Sequence, residues 1–136
     1  MIVDTSALVA VSRKEEHFEQ LFDAMFEARC VIPAPVVVEF HRVTALRGNK
    51  VDSNAVALID QLIMENAIIE PFGGADAQLA ADANERHGTG NGRGGRLNML
   101  DLMVYGMARR TRQPILCTGT DFLSTDITIH PASRRW

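Results

Sequence analysis

The sequence predicts an α/β domain built on a short, mainly parallel sheet of four or five strands. Three observations carry this. Apolar segments too short to be helices recur along the chain as MIV, CVIP, AIIEP and PILCT. Between them lie longer stretches with apolar residues at helical spacing. Strands that alternate with helices need crossover connections, and crossovers give parallel pairing. At 136 residues the chain can bury a sizeable core, so residues 1–136 are expected to form a single domain.

Met1 to Asp4 reads as a buried strand, and Thr5 to Val11 as one or two helical turns capped by Asp4 or Thr5. Glu15 to Arg29 is the clearest amphipathic helix, with Phe18, Leu21, Phe22, Met25 and Phe26 on one face. CVIP is a strand stopped by Pro33. Pro35 suits the first position of a helix that runs to about Arg47 and stops at Gly48-Asn49. Asp52 or Ser53 starts the next helix, which passes through Val56, Ile59, Leu62 and Ile63 to about Asn66. AIIEP is the third strand, ended by Pro71. Ala75 to Arg86 is helical and Ala-rich. HGTGNGRGGR follows as a flexible loop, then a helix from Asn98 to Arg112, the strand PILCT and a candidate fifth strand, TDITIH.

Composition narrows the function. The hydrophobic share of 46% and charged share of 23% are those of an ordinary globular protein. Asp4 interrupts the first apolar run, so no secretory signal is expected, and no stretch is long enough for a membrane span. Cys30 and Cys117 stand alone in apolar surroundings and are expected as buried thiols of a cytoplasmic protein. The net charge of −3 hides an asymmetry. Residues 1–85 hold 6 basic against 14 acidic side chains, whereas residues 86–136 hold 8 Arg against 3 acids. Arg grips phosphate bidentately, so the later half suits a polyanion, although an unevenly charged solvated surface is the blander reading.

Four acids stand where a site would form. In parallel sheets, sites gather beyond the carboxyl ends of the strands. Asp4 ends the first strand, and Asp121 follows PILCTGT. Glu39 interrupts the apolar run PVVVEF, and Asp101 lies in the first turn of the helix after the Gly-rich loop. Each has a structural alternative. Asp4 can cap a helix, Asp101 can form a capping box with Asn98, Asp121 can organise a turn with Gly119, and Glu39 can pair with His41 or Arg42. Taken together, carboxylates converging at one sheet edge would repel one another unless a cation sat among them. All-oxygen ligation suits Mg²⁺ or Mn²⁺.

These motifs resemble the PIN-domain ribonucleases, and within them the VapC-type toxins of type II toxin–antitoxin systems. MIVDTSALVA resembles the family's first motif, PAPVVVEF the helix that supplies its Glu, GRLNMLDLMVYGMA the segment that supplies its next Asp, and ILCTGTDFLSTDI its closing motif. The four occur in the family's order over nearly the whole chain. The resemblance implies a three-layer α/β/α fold. It implies metal ligation by Asp4, Glu39 and Asp101, with Asp121 as the fourth acid, acting directly or through a water. Thr120 stands where many members carry an acid or Asn, and Leu100 where a Gly is frequent. Thr5, Ser6, Thr118 and Asp126 fall where side chains would support the ligands.

The implied activity is Mg²⁺- or Mn²⁺-dependent hydrolysis of RNA phosphodiester bonds by an activated water, leaving a 5′-phosphate and a 3′-hydroxyl. Arg86, Arg93, Arg96 and Arg112 are the expected RNA contacts, while Arg109 and Arg110 suit the negative end of a helix dipole. The implied partners are a VapB-like antitoxin that covers the acidic pocket, a second copy in a homodimer, and a larger toxin–antitoxin assembly. Two rival classes compete. One is a nucleotide- or RNA-binding regulatory module without nuclease activity, using the Gly-rich loop. A phosphate loop, however, follows a strand and closes on Lys-Ser/Thr. The other is an aspartyl-phosphate receiver or phosphatase-like domain, which would want an Asp where Ser6 stands.

Overall fold

The computed structural model describes residues 1–45 and 52–133. The chain runs β1 (Ile2–Val3), α1 (Thr5–Ser12), α2 (Phe18–Glu27), β2 (Cys30–Pro33), α3 (Ala34–Ala45), α4 (Ser53–Glu65), β3 (Ala67–Glu70), α5 (Gly74–His87), α6 (Met99–Thr111) and β4 (Ile115–Leu116), then a 3-10 turn at Asp121–Ser124. The Gly48-Asn49 helix stop lies outside the described residues.

All four strands pair in parallel, in the order β3-β2-β1-β4. The first three strands step outward from β1, and the chain then returns past β1 to lay down β4. With right-handed crossovers, the outward steps put α1 to α4 on one face and the return puts α5 and α6 on the other. This is the three-layer α/β/α arrangement. The packing agrees, since α1 contacts α2, α3 and α4 while α5 contacts chiefly α6. The order reverses between β1 and β4, so the crevice beyond their carboxyl ends is the switch point where open sheets place their sites.

Covered on both faces, the inner strands β1 and β2 are apolar and buried throughout, as is β4, whose outer side the Ile129 segment covers. The edge strand β3 is not, and Ile68 and Ile69 reach solvent. TDITIH contributes a single bridge, Ile129 to Ile115, rather than a fifth strand. Asp126 ahead of it is drawn to α6 by the Tyr105 hydroxyl and Arg109. Pro131 behind it has no N–H to extend the ladder.

The helix α2 begins at Phe18, three residues later than its apolar pattern suggested. Lys14 and His17 adopt left-handed backbone at φ 51° and 63° and turn the chain there. The expected cap of α4 is Asp52, whose carboxylate accepts from the N–H of Asn54 and Ala55. The pair α5 and α6 is tied by Arg110, which donates to Asp76 and Glu70, and Asp76 also receives the Gly73 N–H. Gly106 sits where these helices meet: a Cβ there would come within 2.4 Å of the Asp76 carbonyl.

The Gly-rich segment is a braced loop rather than the flexible one expected. Asn91 accepts from the N–H of Arg93 and Gly95 and donates to the Glu85 carbonyl. Backbone bonds from Thr89 to Leu97 and from Leu97 to His87 close its base. Gly90, Gly92 and Gly94 all take positive φ, which explains the alternating glycines.

Candidate active site

Asp4 follows β1, and its carboxylate caps α1 by accepting from the Ser6 N–H at 2.9 Å and the Ser6 hydroxyl at 2.5 Å. The Ser6 Oγ in turn accepts the Thr118 N–H at 3.0 Å. A relay of two hydrogen bonds therefore runs from the segment after β4 to the carboxylate after β1. It commits the Oδ2 of Asp4 to Ser6. Asp4 is only 5% exposed. Burial raises its pKa, the Ser6 bonds oppose the rise, and the charge of Glu39 adds to it.

Asp101 enters from α6. It forms a reciprocal capping box with Asn98: its carboxylate accepts the Asn98 N–H at 2.8 Å while its own N–H donates to the Asn98 amide oxygen at 3.0 Å. Burial pushes the carboxyl up to about 7. The Asn98 hydrogen bond opposes this, and the charges of Asp4, Asp121 and Glu39 push further upward.

Glu39 is half-buried on α3, while its neighbour Val38 is 71% exposed. The run PVVVEF is thus split between core and surface, not buried throughout. Among the described residues neither His41 nor Arg42 pairs with Glu39; the His41 ring bonds the Val37 carbonyl instead. Asp121 opens the 3-10 turn after Gly119, which takes φ 83°.

All four acids line one cleft of about 330 Å³, together with Thr5, Ser6, Asn98 and Thr118. The capping readings of Asp4 and Asp101 hold, and both residues also line the cleft. The Thr5 hydroxyl is buried here with no hydrogen-bond partner among the described residues. A fifth acid, Glu15, also lines the cleft, brought in by the turn between α1 and α2. In the sequence, nothing distinguished it from the solvated acids of that helix.

The other expected positions divide. Asp126 lies away from the cleft: it holds the Tyr105 hydroxyl at 2.7 Å and pairs with Arg109 at 3.2 Å. The Tyr105 bond and the Arg109 charge keep its carboxyl below the usual range. Arg96 reaches from the Gly-rich loop to the Thr120 hydroxyl at 3.1 Å, one residue before Asp121. It is the expected arginine that stands at the rim. Arg93 lies 4.0 Å from Glu85 on the loop, Arg86 is exposed, and Arg112 caps the end of α6 beside a separate small hollow with Asp126. Arg109 and Arg110 are engaged in ion pairs in addition to their place near the end of α6.

The donors suit a hard cation: carboxylate oxygens at the switch point, an unpartnered hydroxyl, and a carboxyl whose ionisation neighbouring charges oppose. Among the described residues no group of three or more His, Cys, Asp and Glu forms a ready-made cage. Mg²⁺, which keeps several waters, does not require such a cage. The Gly-rich loop follows α5 instead of a strand, which disfavours a nucleotide-phosphate loop. Cys30 and Cys117 are buried free thiols, and burial pushes Cys117 up to about 12. Among the described residues, no helix is long and apolar enough to cross a membrane.

A parallel α/β/α domain with an acidic switch-point cleft is the architecture of the PIN domain, and the family model for the PIN domain matches residues 1–127. The chain belongs to the PIN-domain family, among its VapC ribonucleases. It is 35% identical over 129 residues to Ribonuclease VapC42 of Mycobacterium tuberculosis, covering 93% of this chain and 96% of that protein. It is 34% identical over 129 residues to Ribonuclease VapC28 of the same organism, covering 93% and 95%. Two solved structures share the fold. The M. tuberculosis sarcin–ricin loop cleaving toxin VapC20 superposes with a TM-score of 0.74 at 14% identity, covering 93% of this chain and 95% of that one. VapBC2 from Rickettsia felis, bound to a DNA fragment from their promoter, superposes with a TM-score of 0.71 at 11% identity, covering 99% and 97%.

Proposed function

We propose that the chain is a ribonuclease and the toxin of a type II toxin–antitoxin pair. It hydrolyses RNA phosphodiester bonds at Asp4, Glu39, Asp101 and Asp121 with a divalent cation, Mg²⁺ or Mn²⁺. The observation that carries this reading is the convergence of the four carboxylates in one cleft of a PIN fold, with Arg96 at its rim. Names borne by the relatives, ribonuclease above all, support it.

Asp4, Glu39 and Asp101 would hold the cation, with Asp121 completing the set from the open side. When bound, the cation acidifies a water and offsets charge on the leaving oxygen. The chain's own residues do the rest. Ser6 holds the Asp4 carboxylate through its N–H and its hydroxyl. Thr5 lines the cleft beside it. Arg96 supplies positive charge beside the acids, where an RNA backbone needs it on approach. Asn98 positions Asp101 through the capping box.

Toxin–antitoxin complexes among the structures that share the fold support a VapB-like antitoxin as partner. In this reading the toxin acts in the cytoplasm, as a homodimer or within a larger assembly. The test is direct. Purified protein should cut RNA in Mn²⁺ or Mg²⁺, EDTA should stop it, and Asp4→Asn should lower the rate at least about a thousandfold with an unchanged circular dichroism spectrum. Full activity in Asp4→Asn, or activity indifferent to EDTA, would overturn the reading. RNA binding without cleavage would favour the regulatory-module alternative.

A further inference from the structure

A second hollow adjoins the cleft. It is a groove of about 480 Å³ between α5 and α6, walled by Ala80 and Ala81 of α5, Thr89 and Leu97 of the loop, and Met99 and Met103 of α6. Its origin is plain from the sequence. Gly106 lets the antiparallel helices touch near Asp76 and Ala80, while at the other end small alanines of α5 face Met99, Leu102 and Met103 of α6 across the gap. Among the described residues, no charged side chain lines it. Asn98 lines both this groove and the acidic cleft, so the two hollows adjoin at that residue.

We infer that this groove receives a nucleobase of the RNA strand beside the bond to be cut, and so sets which sequences are cleaved; the inference rests on the nuclease reading above. Three features select this occupant. An RNA strand with its scissile phosphate in the cleft must carry a neighbouring nucleotide past Asn98. The groove offers what an unstacked base needs, an apolar slot with the Asn84 amide and Thr89 hydroxyl at its edge, and polarisable methionine sulfur against a ring face. The loop that forms one wall also carries Arg93 and Arg96, so flanking phosphates meet positive charge while the base meets none. Met99, 79% exposed at the start of α6, is then a surface a base can cover.

The test fills the groove without disturbing the core. Ala81 is exposed on α5, so Ala81→Trp places bulk in the groove, and Met99→Ala removes one wall. Both are made in the full chain and again in an Asp4→Asn background. Fluorescent oligo-A, oligo-C, oligo-G and oligo-U are the binding probes, and a mixed-sequence RNA is the cleavage substrate. The Asp4→Asn protein should rank the four oligomers. Ala81→Trp should flatten that ranking, weakening the preferred oligomer about tenfold, with a smaller loss for Met99→Ala. In the cleaving protein the change should fall on KM rather than kcat. An unchanged ranking in Ala81→Trp would sink the proposal. So would a dimer converted to monomer with the ranking intact, which would assign the groove to a second copy. Absence of metal-dependent cleavage by the wild-type chain would instead remove the nuclease reading, and the binding ranking would still decide the groove.

Discussion

Asp101 caps α6 through the Asn98 N–H, and the same carboxyl faces the charges of Asp4, Asp121 and Glu39. Its pKa of about 7 gives a stability dependence whose sign is fixed. Between the usual carboxylate range and pH 7 the folded chain holds a proton that the unfolded chain has lost. Folding stability therefore falls as pH rises from about 4 to 7, and the deficit is complete above 7. Melting in EDTA should show a lower Tm at pH 8 than at pH 5.5 from this carboxyl, and Mn²⁺ should raise Tm more at pH 8 than at 5.5. An equal Mn²⁺ effect at both values would contradict the coupling. Asp101→Asn keeps an oxygen for the cap and removes the charge. It should end cleavage while raising Tm at pH 8 by roughly 3–5 °C, about 1 kcal/mol. Thr5 was expected beside the acids, but the state of its hydroxyl and the place of Glu15 were not legible in the sequence. The hydroxyl is a partnerless atom visible only once packing is known, and Glu15 reaches the cleft through a turn that two left-handed residues create.

Elements whose pattern repeats were legible to within a residue or two. CVIP and AIIE are strands as read, and α6 runs between Asn98 and Arg112 as its two caps. The misreadings occur where long-range contacts override the local pattern. The apolar alternation of TDITIH suggested a strand, but Tyr105 and Arg109 hold Asp126 and leave room for one bridge. PVVVEF read as core, yet one helix face cannot bury four consecutive residues, and Val38 points outward. Nothing in the sequence foretold that Arg110 would bind Asp76 and Glu70 together. Because Asp76 is 2% exposed, Arg110→Ala should leave a buried carboxylate short of its partner and cost about 1–3 kcal/mol, measured by urea unfolding. Gly106→Val should cost a similar ~1–3 kcal/mol by forcing α5 and α6 apart; an unchanged midpoint would show that the helix pair gives way easily.

Charge divides the chain in sequence, and folding only partly turns that division into a surface. The arginines of the later half reach different ends: Arg110 and Arg109 are tied into ion pairs, while Arg96 stands at the cleft. RNA binding should weaken as salt rises, and Arg96→Ala should reduce the slope of log affinity against log salt by about 0.7. A slope identical to wild type would remove Arg96 from the RNA path. The relay through Ser6 has a consequence for biosynthesis. It joins Asp4 to the Thr118 N–H, and β1 has β4 as one of its two sheet neighbours. Asp4 is synthesised well before the strand and the N–H that complete its surroundings, which follow more than a hundred residues later. A nascent or prematurely terminated chain therefore carries the first acid of the site without the site itself. The cell making this protein meets no complete site until the segment after β4 has been synthesised.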